Sequence, residues 1–381
     1  MHLFIDASNL RRGGGVTHLQ EILQVADLKR HGFSKVTVWA PKRTLERIGD
    51  IPLVERRTHP LIDKGRIHGV IFRRHLLDRQ IEPDVNLLWA PGGTYQGSFR
   101  PYVTMLRNFL PFDFPERARF KYRWAYVRLV YLKHVQTKSF KRATGLIHIS
   151  QKAHDVLNEM TDLSKVRQTV IHHGLSERFL MLPRPQRQVE DFTEKTPARL
   201  LYISHINLYK HQDKLIQAVA KVRERGIPAE IHLVGPALPA AKRMFDPLAA
   251  RLDPEKKWIK WHGEIPYFEV REHTQQADLY TCTSTCETFG MVLLEAMGSG
   301  LPVVCSDRSA LPEIQGDTGL KVDPENVTEL AHAIEKMLRD KALRMEYAMK
   351  AYDRAKTFTW ERCAEETFEF LRACATQSAK H

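Results

Sequence analysis

Short β-branched and apolar runs alternate with longer stretches of helical period along most of this chain, the pattern of parallel strands covered by helices. In the first half, strands are expected at residues 3–5, 36–39, 86–89, 102–105, 146–149 and 169–172, with helices in most of the gaps. Over 184–198 the pattern breaks into a polar, proline-bearing stretch without period, which reads as a linker. The alternation then restarts, with strands expected at 200–204, 230–234, 258–261, 279–282 and 303–306 and helices at 327–340 and 341–356. A last helix is expected from about Trp360. The fold class is therefore α/β, with two similar doubly wound domains at 1–183 and 199–359 and a C-terminal helix, 360–381, that crosses back toward the first domain.

The length of 381 residues is enough for two such cores, and 43% hydrophobic with 27% charged residues is the composition of an ordinary folded domain. Asp6 interrupts the first apolar stretch, and no window approaches about 18 apolar residues, so neither a secretion signal nor a spanning helix is expected and the location is read as cytoplasmic. Cys282, Cys286, Cys305, Cys363 and Cys374 are odd in number and confined to the last third, which suits reduced thiols better than disulfides or a zinc site. Charge changes the picture more. Residues 1–190 carry 32 Lys and Arg against 17 Asp and Glu, whereas the remainder carries 26 against 28. The first domain is thus expected to face something anionic.

The densest chemistry lies in DLYTCTSTCETFGMVLLEAMGSGLPVVCSD, residues 278–307. An apolar strand ends in a Ser/Thr-rich loop, and Glu287, Thr288, Phe289 and Gly290 lead into an amphipathic stretch. Gly290 permits close backbone approach to a ligand, and the free amides after it suit a phosphate. Glu287 precedes that helix and Glu295 lies within it, so the two carboxylates can accept hydroxyls from the two ends of a nucleotide sugar. They can equally serve as a capping residue and a solvated face. In RLLYISHINLYKHQDKLIQAV, residues 199–219, a strand runs into a loop where Lys210 stands beside a helix start and can offer a point charge to a diphosphate.

The run ETFGMVLLE, followed by AMGSGLPVVCSD and then ALPEI, GL and VDP, resembles the signature of the group 1 (family 4) glycosyltransferases, retaining enzymes of GT-B architecture. The resemblance implies two Rossmann-like domains facing across a cleft. It implies that Glu287 contacts the donor sugar, that the loop from Phe289 through Gly290, Met291 and Val292 meets sugar and diphosphate, and that Glu295 holds the ribose. Lys210 matches a lysine that stabilises the departing diphosphate, which makes Lys210 and Glu287 the expected catalytic pair. His205 stands where the family usually has arginine, and histidine carries only part of a charge at neutral pH.

In the first domain, Gly13, Gly14 and Gly15 follow the first strand and permit a tight turn; by resemblance they line the cleft near the acceptor. Arg107 and Asn108 fall where the family often has His-Asn. Arginine cannot act as a base, so an anionic or hydroxyl-rich group is its expected partner. His172 and His173 read as loop histidines. Residues 115–143 hold nine Lys and Arg, one acid and several aromatic residues. This suits either an interfacial helix on an anionic membrane or a core-packed helix with a solvated basic face.

The expected function is retaining transfer of a sugar from a nucleoside-diphosphate sugar to a hydroxyl of a lipid-linked glycan, in bacterial surface-polysaccharide or lipopolysaccharide assembly. No DxD-like motif is present in the sequence, so no metal and no cofactor are expected, and no nucleic acid partner. Two other readings stay open: an epimerase or phosphorylase of the same architecture, and a non-catalytic module that binds anionic membrane or RNA.

Overall fold

The computed structural model describes residues 1–378 and forms two compact units, Met1–Gly174 with Thr359 onward, and Leu175–Phe358. In the first, seven parallel strands are ordered β3-β2-β1-β4-β5-β6-β7: β1 His2–Asp6, β2 Lys35–Trp39, β3 Val54–Arg57, β4 Val85–Ala90, β5 Tyr102–Leu106, β6 Gly145–His148 and β7 Arg167–Val170. Every residue of β1, β5 and β6 is buried, as expected of strands covered by helices on both faces. The edge strand β3, VERR, has no apolar run, and the hydrophobic pattern does not reveal it. The strand expected at 169–172 sits two residues earlier, so His172 and His173 lie beyond β7.

The second unit repeats the plan with six parallel strands in the order β10-β9-β8-β11-β12-β13. These are β8 Ala198–Ile203, β9 Ala229–Val234, β10 Ile259–Gly263, β11 Leu279–Cys282, β12 Val303–Ser306 and β13 Leu320–Val322. In both sheets the strand order reverses once, between β1 and β4 and between β8 and β11. Loops leaving such neighbours diverge to opposite faces and open a crevice at the carboxyl ends of the strands.

One boundary differs from the sequence expectation. The stretch 184–198 is not a free linker: it belongs to the second unit and is held there by ionic hydrogen bonds. Arg184 Nη2 donates to Asp278 Oδ1 at 2.7 Å, Arg187 pairs with the same carboxylate, and Phe192 is buried. Asp278 also accepts the Arg199 amide at 2.8 Å, which pins the segment at the start of β8. The helix Trp360–Ser378 belongs to the first unit, where it packs on the helix Gly14–Val25 and on β4 and β5. Phe368 meets Phe33 and Trp89 edge-on. Residues 379–381 of the expected helix lie outside the described residues. At its start the chain is in backbone contact with Gly174, where an added Cβ would lie 2.3 Å from the Trp360 nitrogen, so only glycine fits. All five cysteines are buried free thiols.

Candidate active site

The loops after β8 and β11, which flank the switch point of the second sheet, carry Lys210 and Glu287. Asn207 opens the short turn Leu208–Lys210 by accepting from the Leu208 amide at 2.8 Å, and His211 closes it in the left-handed conformation. The Lys210 carbonyl accepts from Thr283 Oγ1 at 2.7 Å and Tyr202 Oη at 3.2 Å, so the β11 loop fixes the backbone that presents the lysine. Lys210 is 6% exposed, and its Nζ donates to Glu287 Oε1. Burial pulls the ammonium toward deprotonation, but the Glu287 carboxylate outweighs it and holds the pKa above that of a free lysine. An ammonium has three donors. Those not committed to Glu287 remain for a further acceptor.

Ser309 Oγ accepts from the Glu287 amide at 2.9 Å and donates to its carbonyl at 2.5 Å, which holds the loop just ahead of the helix Met291–Gly298. Gly290 caps that helix at φ 105°, and an added Cβ would lie 3.0 Å from Leu311 Cδ2. The first amides of a helix lack intrahelical acceptors and carry its positive dipole end. The Phe289 side chain is 2% exposed and meets Phe358 edge-on, so a ligand would meet its backbone and not its ring.

Glu295, within the same helix, is buried and accepts from Tyr267 Oη at 2.5 Å. Arg178 lies 3.9 Å over the Tyr267 ring. Burial raises the Glu295 carboxyl to about 7, against the opposing pull of Tyr267 and Arg178. Neither partner is evident in the sequence, since each lies far from Glu295 along the chain. His205 is near Tyr209 Oη, and burial, with Lys210 beside it, lowers its pKa. At neutral pH the ring is therefore mainly uncharged and adds little positive charge beside Lys210.

In the first unit, Gly13 caps the helix Gly14–Val25, which includes Gly14 and Gly15. The Gly15 site faces Arg107: an added Cβ would lie 3.6 Å from the guanidinium carbon. Arg107 follows β5 and is half-buried, burial lowering its pKa to about 10, while Asn108 is exposed. Arg107 Nη1 lies 3.2 Å from Nδ1 of buried His18, whose ring packs 4.6 Å from that of His173. Burial drives both imidazoles well below their ordinary pKa. His18 has a legible signal, three residues after the glycine triplet, but no sequence spacing links it to His173 or to the thiol of Cys363, which lie far along the chain.

The basic stretch splits into a short helix Phe114–Ala118 and a longer one, Trp124–Lys141. Leu129, Gln136, Ser139 and Phe140 pack inward. Tyr122 is 92% and Trp124 82% exposed, with Phe114, Val127, Val130 and Tyr131 also exposed. The segment therefore has a packed stripe and an open apolar face, with exposed Lys121, Arg128 and Lys138 nearby. No helix among the described residues is long and apolar enough to cross a membrane.

Residues 184–354 match the family model for "Glycosyl transferases group 1". Over 110 residues the chain is 36% identical to the O-antigen chain mannosyltransferase B of Escherichia coli, covering 29% of each protein. The chain spans from 29% to 54% of the length of the first curated relatives it matches. A sucrose-phosphate synthase from Thermosynechococcus elongatus superposes with a TM-score of 0.77 at 17% identity, covering 100% of both chains. Anabaena HepE, solved with UDP and glucose, superposes at 0.71 and 20% identity, covering 98% of this chain and 100% of that one. The shared architecture is GT-B, two Rossmann-like parallel-sheet domains. With the family model spanning β8 to β13, residues 184–354 are a group 1 glycosyltransferase domain.

Proposed function

We propose that this chain transfers a sugar from a nucleoside-diphosphate sugar to a hydroxyl of a lipid-linked glycan, with retention at the anomeric carbon and without a metal or other cofactor. The observation that carries the reading is the buried Lys210 ammonium on Glu287, ahead of the first amides of the helix Met291–Gly298. As the anomeric carbon–oxygen bond breaks, negative charge grows on the departing diphosphate. A preorganised ammonium and helix amides stabilise that charge in the transition state more than in the ground state. Glu287 holds Lys210 protonated and accepts from the sugar hydroxyls. Glu295 and Tyr267 take the ribose. His205, being neutral, serves as a hydrogen-bonding group and leaves Lys210 as the main cation.

Gly13 to Gly15, Arg107 and Asn108 belong to the acceptor, and Arg107 suits an anionic or hydroxyl-rich group. The open face of residues 114–131 gives peripheral contact with an anionic membrane at its cytoplasmic side. The O-antigen relative supports a surface-polysaccharide setting, and the UDP-bound neighbour supports a nucleoside-diphosphate donor. Thermal-shift screening against UDP-, GDP-, ADP- and dTDP-sugars identifies the donor. With that donor, Lys210→Ala lowers kcat by about 100-fold or more, the scale of removing one positioned group from a developing charge. Wild-type turnover in that variant would dismiss the reading. Donor consumption without any acceptor would favour an epimerase instead.

A further inference from the structure

The second unit carries a histidine cluster that shares no residue with the donor site. His232 lies in β9, His262 in β10 and His273 in the helix Val270–Gln276, and one ligand nitrogen from each lies within 4.8 Å of the others. The His232 and His262 rings are 18° from parallel with centroids 5.0 Å apart, and His232 Nδ1 faces His262 Nε2 at 2.9 Å. The two nitrogens thus face the same space, where His262 Nε2 donates to His232 Nδ1 and where moving the His262 proton to its Nδ1 would leave both nitrogens as ligands for an ion. The His273 ring stands edge-on to His262 at 4.7 Å, and its Nδ1 is buried with no hydrogen-bond partner among the described residues.

We infer that His232, His262 and His273 form a site for a divalent transition metal ion of the zinc, nickel or copper type. Behind His232, Glu230 Oε1 accepts from Nε2 at 2.7 Å. That bond puts the ring proton on Nε2, leaves the lone pair on Nδ1, and makes the nitrogen more basic, as a carboxylate behind a metal-bound imidazole does. Three imidazoles select borderline ions over magnesium or calcium, which take oxygen ligands. Nitrogens bound to one zinc at its usual bond length lie roughly 3.3 Å apart. The pair at 2.9 Å therefore has to open slightly, and His262, which is exposed, is free to turn.

One neighbour opposes the ion. Arg199 Nη2 lies 3.0 Å from His232 Nδ1 and occupies the position the metal would take, while the same guanidinium also bonds Gln276 Oε1. The ion must displace this contact, with the Glu230 carboxylate offsetting the positive charge that remains. The site thus has a built-in competitor, and removing it is a test that a chance grouping of histidines would fail.

The experiment is calorimetric titration of the untagged, chelator-treated full chain with Zn²⁺, accompanied by Cu²⁺ quenching of tryptophan fluorescence, for which Trp261 beside His262 is the reporter. One saturable equivalent is expected, unaffected by Mg²⁺. Affinity falls at least about 10-fold in His262→Ala and in His273→Ala, and about 10-fold in Glu230→Gln, the scale on which outer partners are felt. Arg199→Gln tightens binding. Circular dichroism melting in metal-free buffer verifies that each variant is folded; His262 is exposed, so its variant keeps the fold. No saturable binding overturns the inference, as does equal competition by Mg²⁺. So does undiminished affinity in the folded His262→Ala, His273→Ala double variant, which would move the ion to another group such as His18, His173 and Cys363. Unchanged or weaker binding in Arg199→Gln overturns the geometry at His232. None of these readouts uses sugar transfer, so they stand or fall apart from the donor reading.

Discussion

Glu295 couples the proposed donor site to pH through burial. Its folded-state pKa is about 7 against 4.5 for a free glutamate. The folded state therefore holds this proton more tightly than the unfolded one, and the associated stability is present below about pH 4.5 and lost as pH rises toward 7. Glu295→Gln keeps the shape and discards the titration. Relative to wild type, the variant is expected to gain on the order of 3 kcal/mol between those limits, read from urea midpoints at about pH 5 and about pH 8. Parallel pH profiles for the two proteins would show that Glu295 is not the titrating group. Gly290 gives a second residue-scale prediction. At φ 105° with Leu311 3.0 Å from an added Cβ, Gly290→Ala costs about 1–2 kcal/mol and weakens donor binding by tilting the first helix amides. An unchanged unfolding midpoint and donor affinity would remove that constraint. The sequence spacing of Glu287 and Glu295 was legible because both belong to one local run. The partners that set their chemistry, Lys210, Tyr267 and Arg178, come from distant loops, and local pattern carries no information about which loops meet.

Strands such as β1, β5 and β11 were legible because burial on both faces demands continuous apolar residues. The edge strand β3 was not, because exposed β-structure leaves no such mark, and the three-residue β13 is too short to show a period. The stretch 184–198 misled for the opposite reason. Its polar residues are arginines and glutamines engaged with Asp278 and the buried Arg344, so a composition typical of linkers is here a clamp. The helix Trp124–Lys141 has little amphipathic contrast because its outward face also carries aromatic and aliphatic groups. Those groups lead to a prediction at this scale: the Tyr122→Ala, Trp124→Ala double variant should reduce co-sedimentation with anionic vesicles several-fold, each large aromatic contributing a few kcal/mol of burial at most. Wild-type binding should weaken with salt. Equal sedimentation of variant and wild type would move the contact elsewhere.

The two units differ in continuity. Leu175–Phe358 is one uninterrupted stretch with its own sheet, switch point and pair of Lys210 with Glu287, whereas the first unit needs the helix Trp360–Ser378 to cover Phe33, Trp89 and Gly145. Expressed alone, residues 175–358 should therefore fold cooperatively and bind the nucleotide sugar within about 10-fold of the full chain, and residues 1–174 should not fold without the helix. A non-cooperative melt of the 175–358 fragment would contradict this division. The same arrangement sets an order of events on the ribosome. Translation at about 5–20 residues per second delivers the closing helix roughly 10–40 s after Gly174 has been made, while the inserted lobe can already have matured. Throughout that interval the nascent first lobe presents an uncovered apolar flank, so chaperone demand during biogenesis falls on that lobe and ends only when the helix Trp360–Ser378 arrives.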